Sequence, residues 1–94
     1  MADAEARVVL TNKMGLHARP STQVANRAAE FDAEVAISKD GMAVDAKSVL
    51  ELLMLAAECG SELLITATGA DAQDAVDALA HLVEERFGEL DVDA

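Results

Sequence analysis

The hydrophobic and polar positions of the chain predict four short β-strands. Residues 34–38 and 42–46 alternate between polar and apolar side chains, which is the period of a strand with one buried face. Residues 7–10 and 63–68 are rich in the Val, Leu, Ile and Thr that strands favour. Asp40-Gly41 separates the second and third segments, and glycine tolerates the positive φ of a two-residue hairpin turn. The second and third strands are therefore expected to pair as a hairpin.

Apolar stripes at helical spacing predict a first and a last helix. The first helix begins near Pro20, because proline lacks an N–H that the first helical turn does not need. Its stripe consists of Val24, Ala28 and Phe31. Asp71 is placed to cap the last helix, whose stripe consists of Ala75, Val76, Leu79, Leu82, Val83 and Phe87. Residues 88–94 are expected to form an acidic C-terminal tail, which is expected to fray after Gly88.

A shorter helix is predicted after the hairpin. Ser48 and Glu51 have the spacing of a capping box, in which the Ser48 hydroxyl accepts from the amide of Glu51 and the Glu51 carboxylate accepts from the amide of Ser48. The leucine-rich segment that follows is expected to end at Gly60. The resulting order, β-α-β-β-α-β-α, favours an α+β fold with helices on one side of a largely antiparallel sheet. We expect one domain over residues 1–94, with its core in residues 7–87.

The charge of the chain is distributed unevenly. Its 94 residues carry a net charge of −11, of which residues 1–57 contribute −2 (eight acids, six bases) and residues 58–94 contribute −9 (ten acids, one base). A nucleic-acid partner is not expected, because phosphate binding requires a basic surface. Cys59 is the single cysteine, so neither a disulfide nor a cysteine-based metal site is expected. No apolar run reaches the length of a membrane span, and we expect a cytoplasmic protein without membrane insertion.

The candidate chemistry lies in the loop before the first helix. His17 stands between Gly15 and Pro20, with Arg19 two positions on. One interpretation is an ordinary loop and helix start. The other is a nucleophilic imidazole at a helix N-terminus, where free amides and the guanidinium of Arg19 stabilise an incoming phosphate. This second interpretation requires neither a metal nor a cofactor.

Three segments of the chain resemble the HPr family, the histidine-containing phosphocarriers of the phosphoenolpyruvate-dependent sugar phosphotransferase system. Gly15-Leu16-His17-Ala18-Arg19-Pro20 resembles the family's active-site motif. Asp45-Ala46-Lys47-Ser48-Val49-Leu50 and residues 65–71 resemble its second signature and its last strand and turn. The likeness extends over residues 7–87. Residues 12–13, 31–35 and 53–55 look like the nitrogen-related branch called NPr, which makes regulation a possible role beside sugar transport.

The resemblance implies an open-faced sandwich of four antiparallel strands with three helices on one face. It implies that Nδ1 of His17 takes a phosphoryl group from phosphorylated Enzyme I and gives it to an enzyme IIA domain, with Arg19 stabilising the phosphate. Such a protein is a monomeric carrier with a phosphohistidine intermediate and not an enzyme. The docking surface for its partners is expected to contain Leu16, Ala18, Lys47, Val49, Leu50 and Leu53.

The sequence leaves two alternatives open. Ser48 is either only a helix cap or also the target of an HPr kinase/phosphorylase, as in part of the family. The chain itself is either a carrier that passes the phosphoryl group on, or a regulatory HPr-like or NPr-like module. Such a module would dock on kinases or transcriptional regulators, with phosphorylation of His17 as a signal.

Overall fold

The computed structural model describes residues 2–89, which fold into four strands and three α-helices. In chain order the elements are β1 (Ala4–Val9), α1 (Ala18–Ala28), β2 (Glu34–Lys39), β3 (Met42–Asp45), α2 (Val49–Met54), β4 (Glu62–Thr68) and α3 (Ala72–Glu84), followed by a 3₁₀ turn (Arg86–Gly88). The strands form one antiparallel sheet in the order β1-β4-β2-β3. The predicted α+β class and the predicted order of elements are confirmed.

The core lies between one face of the sheet and the helices. Buried and exposed side chains alternate along the strands, so that Ile37 of β2 and its register partner Ile65 of β4 both face the core. Burial of an aliphatic side chain of this size contributes about 1.5–3 kcal/mol to folding. The stripes of α1 and α3 supply the opposite side of the core. None of the helices in residues 2–89 is long and apolar enough to cross a membrane.

The β2–β3 hairpin forms at the predicted turn. Asp40 and Gly41 have φ angles of 51° and 83°, and Lys39 pairs with Met42 across the turn. Two successive positive φ angles are what a type I′ hairpin turn requires, and glycine adopts such angles without a steric penalty. β1, in contrast, begins at Ala4, three residues before the predicted start. Its first residues are weak strand formers, and pairing with β4 extends the strand to them.

The prediction that α2 extends to Gly60 is wrong. The helix ends at Met54, and Ala56 has a φ of 49° that ends the helical path. The ammonium group of Lys39 donates to the carbonyl oxygens of Leu55 and Ala56, at 3.2 and 3.4 Å. A cation at a helix C-terminus satisfies carbonyl groups that have no partner in the helix. A side chain from β2 therefore stabilises the end of α2, and the local sequence carries no signal for this contact.

Asp71 stands at the N-terminus of α3 but does not cap it with its side chain. Its two carboxylate oxygens accept from the backbone amides of Asp32 and Ala33, at 2.9 and 2.8 Å. The amide of Asp32, together with that of Ala33, lowers the pKa of the Asp71 carboxyl below its ordinary value. Instead of capping α3, the side chain of Asp71 thus connects the start of α3 to the loop between α1 and β2 by two hydrogen bonds.

The prediction that the chain frays after Gly88 is wrong for Glu89, whose side chain bonds His17 and Asn12, while residues 90–94 lie outside the described residues. Phe87 is buried, as its place in the apolar stripe predicts, but it lies beyond the end of α3 in the 3₁₀ turn. Arg86, Phe87 and Gly88 all have positive φ angles, of 54°, 56° and 74°. This left-handed turn reverses the chain after α3 and directs Glu89 toward the loop that contains His17.

Candidate functional site

The loop before α1 is held against the segment that follows α2. The amide of Leu16 donates to the carbonyl oxygen of Ala57 at 2.9 Å, and the side chain of Leu16 is buried. Gly15 has a φ of 65°, and a Cβ at this position would lie 2.8 Å from Glu58 Cα and would also overlap the Ala57 carbonyl. The close approach of the two backbone segments therefore requires glycine at position 15. It fixes where His17 enters α1.

His17 is the N-cap residue of α1 and keeps about a third of its side chain exposed (34%). Its backbone is extended, and its carbonyl accepts from the amide of Ser21 at 3.0 Å. The amides of Ala18 and Arg19 have no carbonyl earlier in the helix to bond, and Pro20 has no amide hydrogen. No acidic residue stands in the first turn of α1. The partial positive charge of the helix N-terminus is therefore available to an anion that is bound at the imidazole.

Arg19 lies one residue after the start of α1, and its side chain is exposed. It makes no ion pair or hydrogen bond with its side chain to any residue in the range 2–89, so its guanidinium is available to a phosphate. Arg27, on the same helix, is paired with Glu30 and stacks over the ring of Phe31 at 5.4 Å. Within residues 2–89, the side chain of Arg19 is thus without a partner two residues from His17, whereas Arg27 near the C-terminal end of α1 is paired with Glu30.

Glu89 and Asn12 complete the surroundings of His17. The Oε2 atom of Glu89 lies 2.7 Å from Nε2 of His17, and its Oε1 atom accepts from Nδ2 of Asn12 at 3.0 Å. Asn12 is fully buried, and its Nδ2 also donates to the carbonyl oxygen of Gly15 at 2.7 Å. Because both neighbours are acceptors, the NH₂ group of Asn12 must face them, and its Oδ1 has no partner among residues 2–89.

Neither Glu89 nor Asn12 was a predicted site residue. Asn12 follows the first strand in a segment that has the composition of an ordinary loop, and Glu89 falls in the segment predicted to fray. Glu89 and His17 are 72 residues apart in sequence, so only the tertiary fold brings them together. The burial of Asn12 beside the His17 loop is visible only in the folded structure and leaves no signal in the sequence.

The residues predicted to form the docking surface divide into exposed and buried ones. Leu50 and Leu53 are exposed on α2, Val49 is half-buried, and Ala18 is exposed. Leu16 departs from this expectation: the residue is only 4% exposed because its side chain packs in the core under the loop, so it offers little contact area to a partner. Lys47 is exposed, and its Nζ donates to the carbonyl oxygen of Phe31 at 2.9 Å.

An apolar strip on α2 lies beside the histidine loop. Leu50, Leu53 and Met54 share one side of the helix at spacings of three and four residues, and all three are exposed, Leu50 to 77%. α2 packs against α1, and the hydrogen bond between Leu16 and Ala57 joins the end of this segment to the loop. We call Leu50, Leu53 and Met54 the α2 strip. An exposed apolar strip of this kind is typical of a protein–protein contact surface.

Ser48 caps α2 as predicted, but the capping box is incomplete. Its hydroxyl accepts from the amide of Glu51 at 3.2 Å. The carboxylate of Glu51 does not return to the amide of Ser48 and instead accepts from the amide of Asp45 at 3.0 Å, while the amide of Ser48 donates to the carbonyl oxygen of Asp45. Glu51 therefore fixes the end of β3 against the start of α2.

Comparison with known proteins gives one consistent result. A family model described as the PTS HPr component phosphorylation site matches residues 4–85. The phosphocarrier protein HPr of Cupriavidus necator is 45% identical over 80 residues, which cover 85% of this chain and 90% of the relative. The phosphocarrier protein NPr of Shewanella violacea is 43% identical over 89 residues, which cover 95% and 98%. A crystal structure of HPr-C-His from Thermoanaerobacter tengcongensis superposes with a TM-score of 0.89 at 34% identity, covering 93% of this chain and 98% of that one.

Proposed function

The chain belongs to the HPr family of phosphocarrier proteins of the phosphotransferase system, and we propose that Nδ1 of His17 accepts a phosphoryl group from phosphorylated Enzyme I and passes it to an enzyme IIA domain. The observation that carries this proposal is the position of His17. Its imidazole is partly exposed at the N-terminus of α1, and Arg19, two residues away, has no side-chain partner within residues 2–89. Among residues 2–89, the second histidine, His81, is exposed on α3 and has no such surroundings.

The reaction needs a nucleophilic nitrogen and a place for negative charge. The lone pair of Nδ1 attacks phosphorus, the bond from phosphorus to the donor nitrogen breaks, and its electron pair stays with the donor. The oxygens of the transferred group then face the first amides of α1 and the guanidinium of Arg19. A favourable interaction of an anion with a helix N-terminus contributes typically 0.3–1 kcal/mol, roughly doubled in a partly buried site, and Arg19 adds a charge-assisted hydrogen bond.

Partner binding is assigned to the α2 strip together with the exposed part of the histidine loop. Enzyme I and an enzyme IIA domain must both reach His17, so each partner must bind around the same exposed ring. The apolar side chains of Leu50, Leu53 and Met54 offer contact area that both partners can use, whatever the arrangement of charged residues on their surfaces. Because the carrier is regenerated in each cycle and catalyses no reaction of its own, it is a reactant of two enzymes.

The test is phosphorylation with phosphoenolpyruvate, labelled with ³²P, and purified Enzyme I. We expect one label for each chain, stable in base and labile in acid, as a phosphoramidate is. His17→Ala should abolish the label, and His81→Ala, the matched control, should leave it unchanged. Label retained in His17→Ala would contradict the proposal. Incubation of the labelled protein with an enzyme IIA domain distinguishes a carrier from a regulatory module. A carrier transfers its label to the enzyme IIA domain, whereas a regulatory module keeps its label while partners bind.

A further inference from the structure

We propose that Glu89 is a positioning residue that fixes the imidazole proton of His17 on Nε2 and thereby keeps Nδ1 as the nucleophilic nitrogen. The consequence for phosphoryl transfer rests on the function proposed above, whereas the position of the proton does not. The hydrogen bond between Glu89 and His17 joins two parts of the chain that no local motif connects.

The carboxylate of Glu89 is held by both of its oxygens. Oε2 lies 2.7 Å from Nε2 of His17, and Oε1 accepts from Nδ2 of Asn12 at 3.0 Å. The side chain of Glu89 is 15% exposed, and that of Asn12 is fully buried. The second donor bond of Asn12, to the carbonyl oxygen of Gly15, prevents its amide from turning round. The acceptor that faces His17 is therefore rigidly oriented.

This arrangement determines the tautomer of the ring. An ionised carboxylate can only accept hydrogen bonds, so we assign the N–H of the neutral imidazole to Nε2. The other nitrogen, Nδ1, then carries the lone pair. The same logic holds wherever a carboxylate orients a catalytic histidine: the hydrogen bond made by one ring nitrogen decides which state the other adopts.

The carboxylate also has a role after the bond to phosphorus has formed. A ring that carries phosphorus on Nδ1 and a proton on Nε2 is cationic, and Glu89 is a counter-charge in direct contact with that proton. When the phosphoryl group leaves for the next acceptor, the electron pair of the P–N bond returns to Nδ1. The ring is then neutral with its proton still on Nε2, so no proton has to be gained or lost in the cycle.

The backbone that presents Glu89 supports this role. Arg86 and Phe87 adopt left-handed conformations that non-glycine residues rarely take, and Gly88 continues the turn. Such backbone persists only where the surrounding structure holds it, and here the buried ring of Phe87 anchors the turn. The result of the turn is the contact of Glu89 with His17 and Asn12.

Two variants at position 89 separate a positioning role from a merely structural one. In Glu89→Gln, the amide oxygen must accept from the fixed NH₂ group of Asn12, so the amide NH₂ of the glutamine faces His17. Nε2 then has to accept, and the proton moves to Nδ1, the nitrogen that should attack. In Glu89→Ala neither tautomer is imposed. The isosteric variant is therefore expected to be the more damaging one, which is the reverse of the order that a packing role would produce.

The experiment is ¹⁵N NMR of the imidazole nitrogens of His17 in the unphosphorylated protein, combined with the initial rate of phosphorylation by Enzyme I. The wild type is expected to carry its proton on Nε2, Glu89→Ala to show a mixture, and Glu89→Gln to carry it on Nδ1. The rate should fall in the same order, by about ten- to a hundredfold for Glu89→Gln, which is the factor that one charge-assisted hydrogen bond represents. Glu85→Gln, an exposed residue of equal charge just after α3, is the matched control and should leave both readouts unchanged.

Each outcome decides one of the two claims. If all variants keep the proton on Nε2, or if Glu89→Gln is phosphorylated at least as fast as Glu89→Ala, the positioning role of Glu89 is overturned. If the tautomers follow the expected order but the wild type accepts no phosphoryl group, the positioning role stands and the proposed function fails. Circular dichroism of the variants shows whether the fold itself has changed.

Discussion

Replacement of Gly15 by alanine tests how the histidine loop is held. At a φ of 65° a Cβ costs about 1–2 kcal/mol through its contact with the neighbouring carbonyl oxygen. In addition, the new atom would lie 2.8 Å from Glu58 Cα and closer still to the Ala57 carbonyl oxygen. Both neighbours are backbone atoms, which cannot turn away as a side chain would. Overpacking of this kind costs typically 1–3 kcal/mol, so we expect a total loss of stability of about 2–5 kcal/mol.

Gly41 provides the matched control for this substitution. Its φ is 83°, but a Cβ at this position would meet no atom within 4 Å. Gly41→Ala should therefore incur only the conformational part of the cost, about 1–2 kcal/mol. The difference between the two variants isolates the contact of Gly15 with the segment after α2. We expect Gly15→Ala to be the less stable variant by about 1–3 kcal/mol.

Urea unfolding followed by circular dichroism measures both losses directly. In thermal unfolding, each kcal/mol corresponds to roughly 4–8 °C for a domain of this size. The clash also predicts a change at His17, since any movement that relieves it must break or bend the hydrogen bond from Leu16 to Ala57. Phosphorylation of Gly15→Ala should therefore be slower than that of Gly41→Ala. Equal stability of the two variants would show that the loop does not rest on residues 57–58 as described.

Two further predictions concern charged residues. Asp71→Asn should lower the melting temperature at neutral pH. The pKa of Asp71 is lower in the folded chain than in the unfolded one, so its carboxylate stabilises the fold at pH values above the ordinary pKa. This stabilisation is lost as the pH falls through the pKa of the folded state. The difference between wild type and variant should shrink below about pH 4, and a difference that is constant with pH would contradict this reasoning. Arg19→Ala should slow phosphorylation about tenfold or more, the effect of removing one hydrogen bond to a charged group, with the melting temperature unchanged because the side chain is exposed. Arg27→Ala is its control, and rapid-quench assays that give equal rates for the two variants would refute the role of Arg19.

The parts of the fold with local causes could be predicted from the sequence. Alternation of polar and apolar residues depends only on the two faces of a strand, and Asp40-Gly41 carries the conformational preference of its turn in its own residues. Pro20 marks the start of α1 for an equally local reason. The position of His17 at the N-cap follows from these signals and is seen in the structure. Its neighbour Arg19 is exposed for the same reason: the stripe of α1 leaves that side of the helix outside the core.

The partners of polar side chains could not be predicted, since a carboxylate bonds whichever amide the tertiary fold places within reach. Asp71 and Glu51 both stand at helix starts, where local rules assign them to their own helix. Each bonds the amide of another segment instead, Asp71 those of Asp32 and Ala33 and Glu51 that of Asp45. These amides belong to loop residues or strand ends that the sheet does not satisfy. A backbone amide that has no partner in a sheet or helix bonds an acceptor within its reach, and at these three positions that acceptor is a carboxylate.

The contact of Glu89 with His17 could not be predicted from the sequence for the same reason. Phe87 continues the apolar stripe of α3, and reading it as helical places Gly88 at the end of the helix and Glu89 in solvent. In the structure α3 ends at Glu84, and Phe87 enters the core from a left-handed turn. An apolar residue followed by glycine after a helix is compatible with two structures: a frayed helix end, or a turn that reverses the chain and buries the apolar side chain. Only the position of His17 and Asn12 in the folded chain, 70 and more residues earlier, decides between them, because they supply the donors that the carboxylate of Glu89 binds.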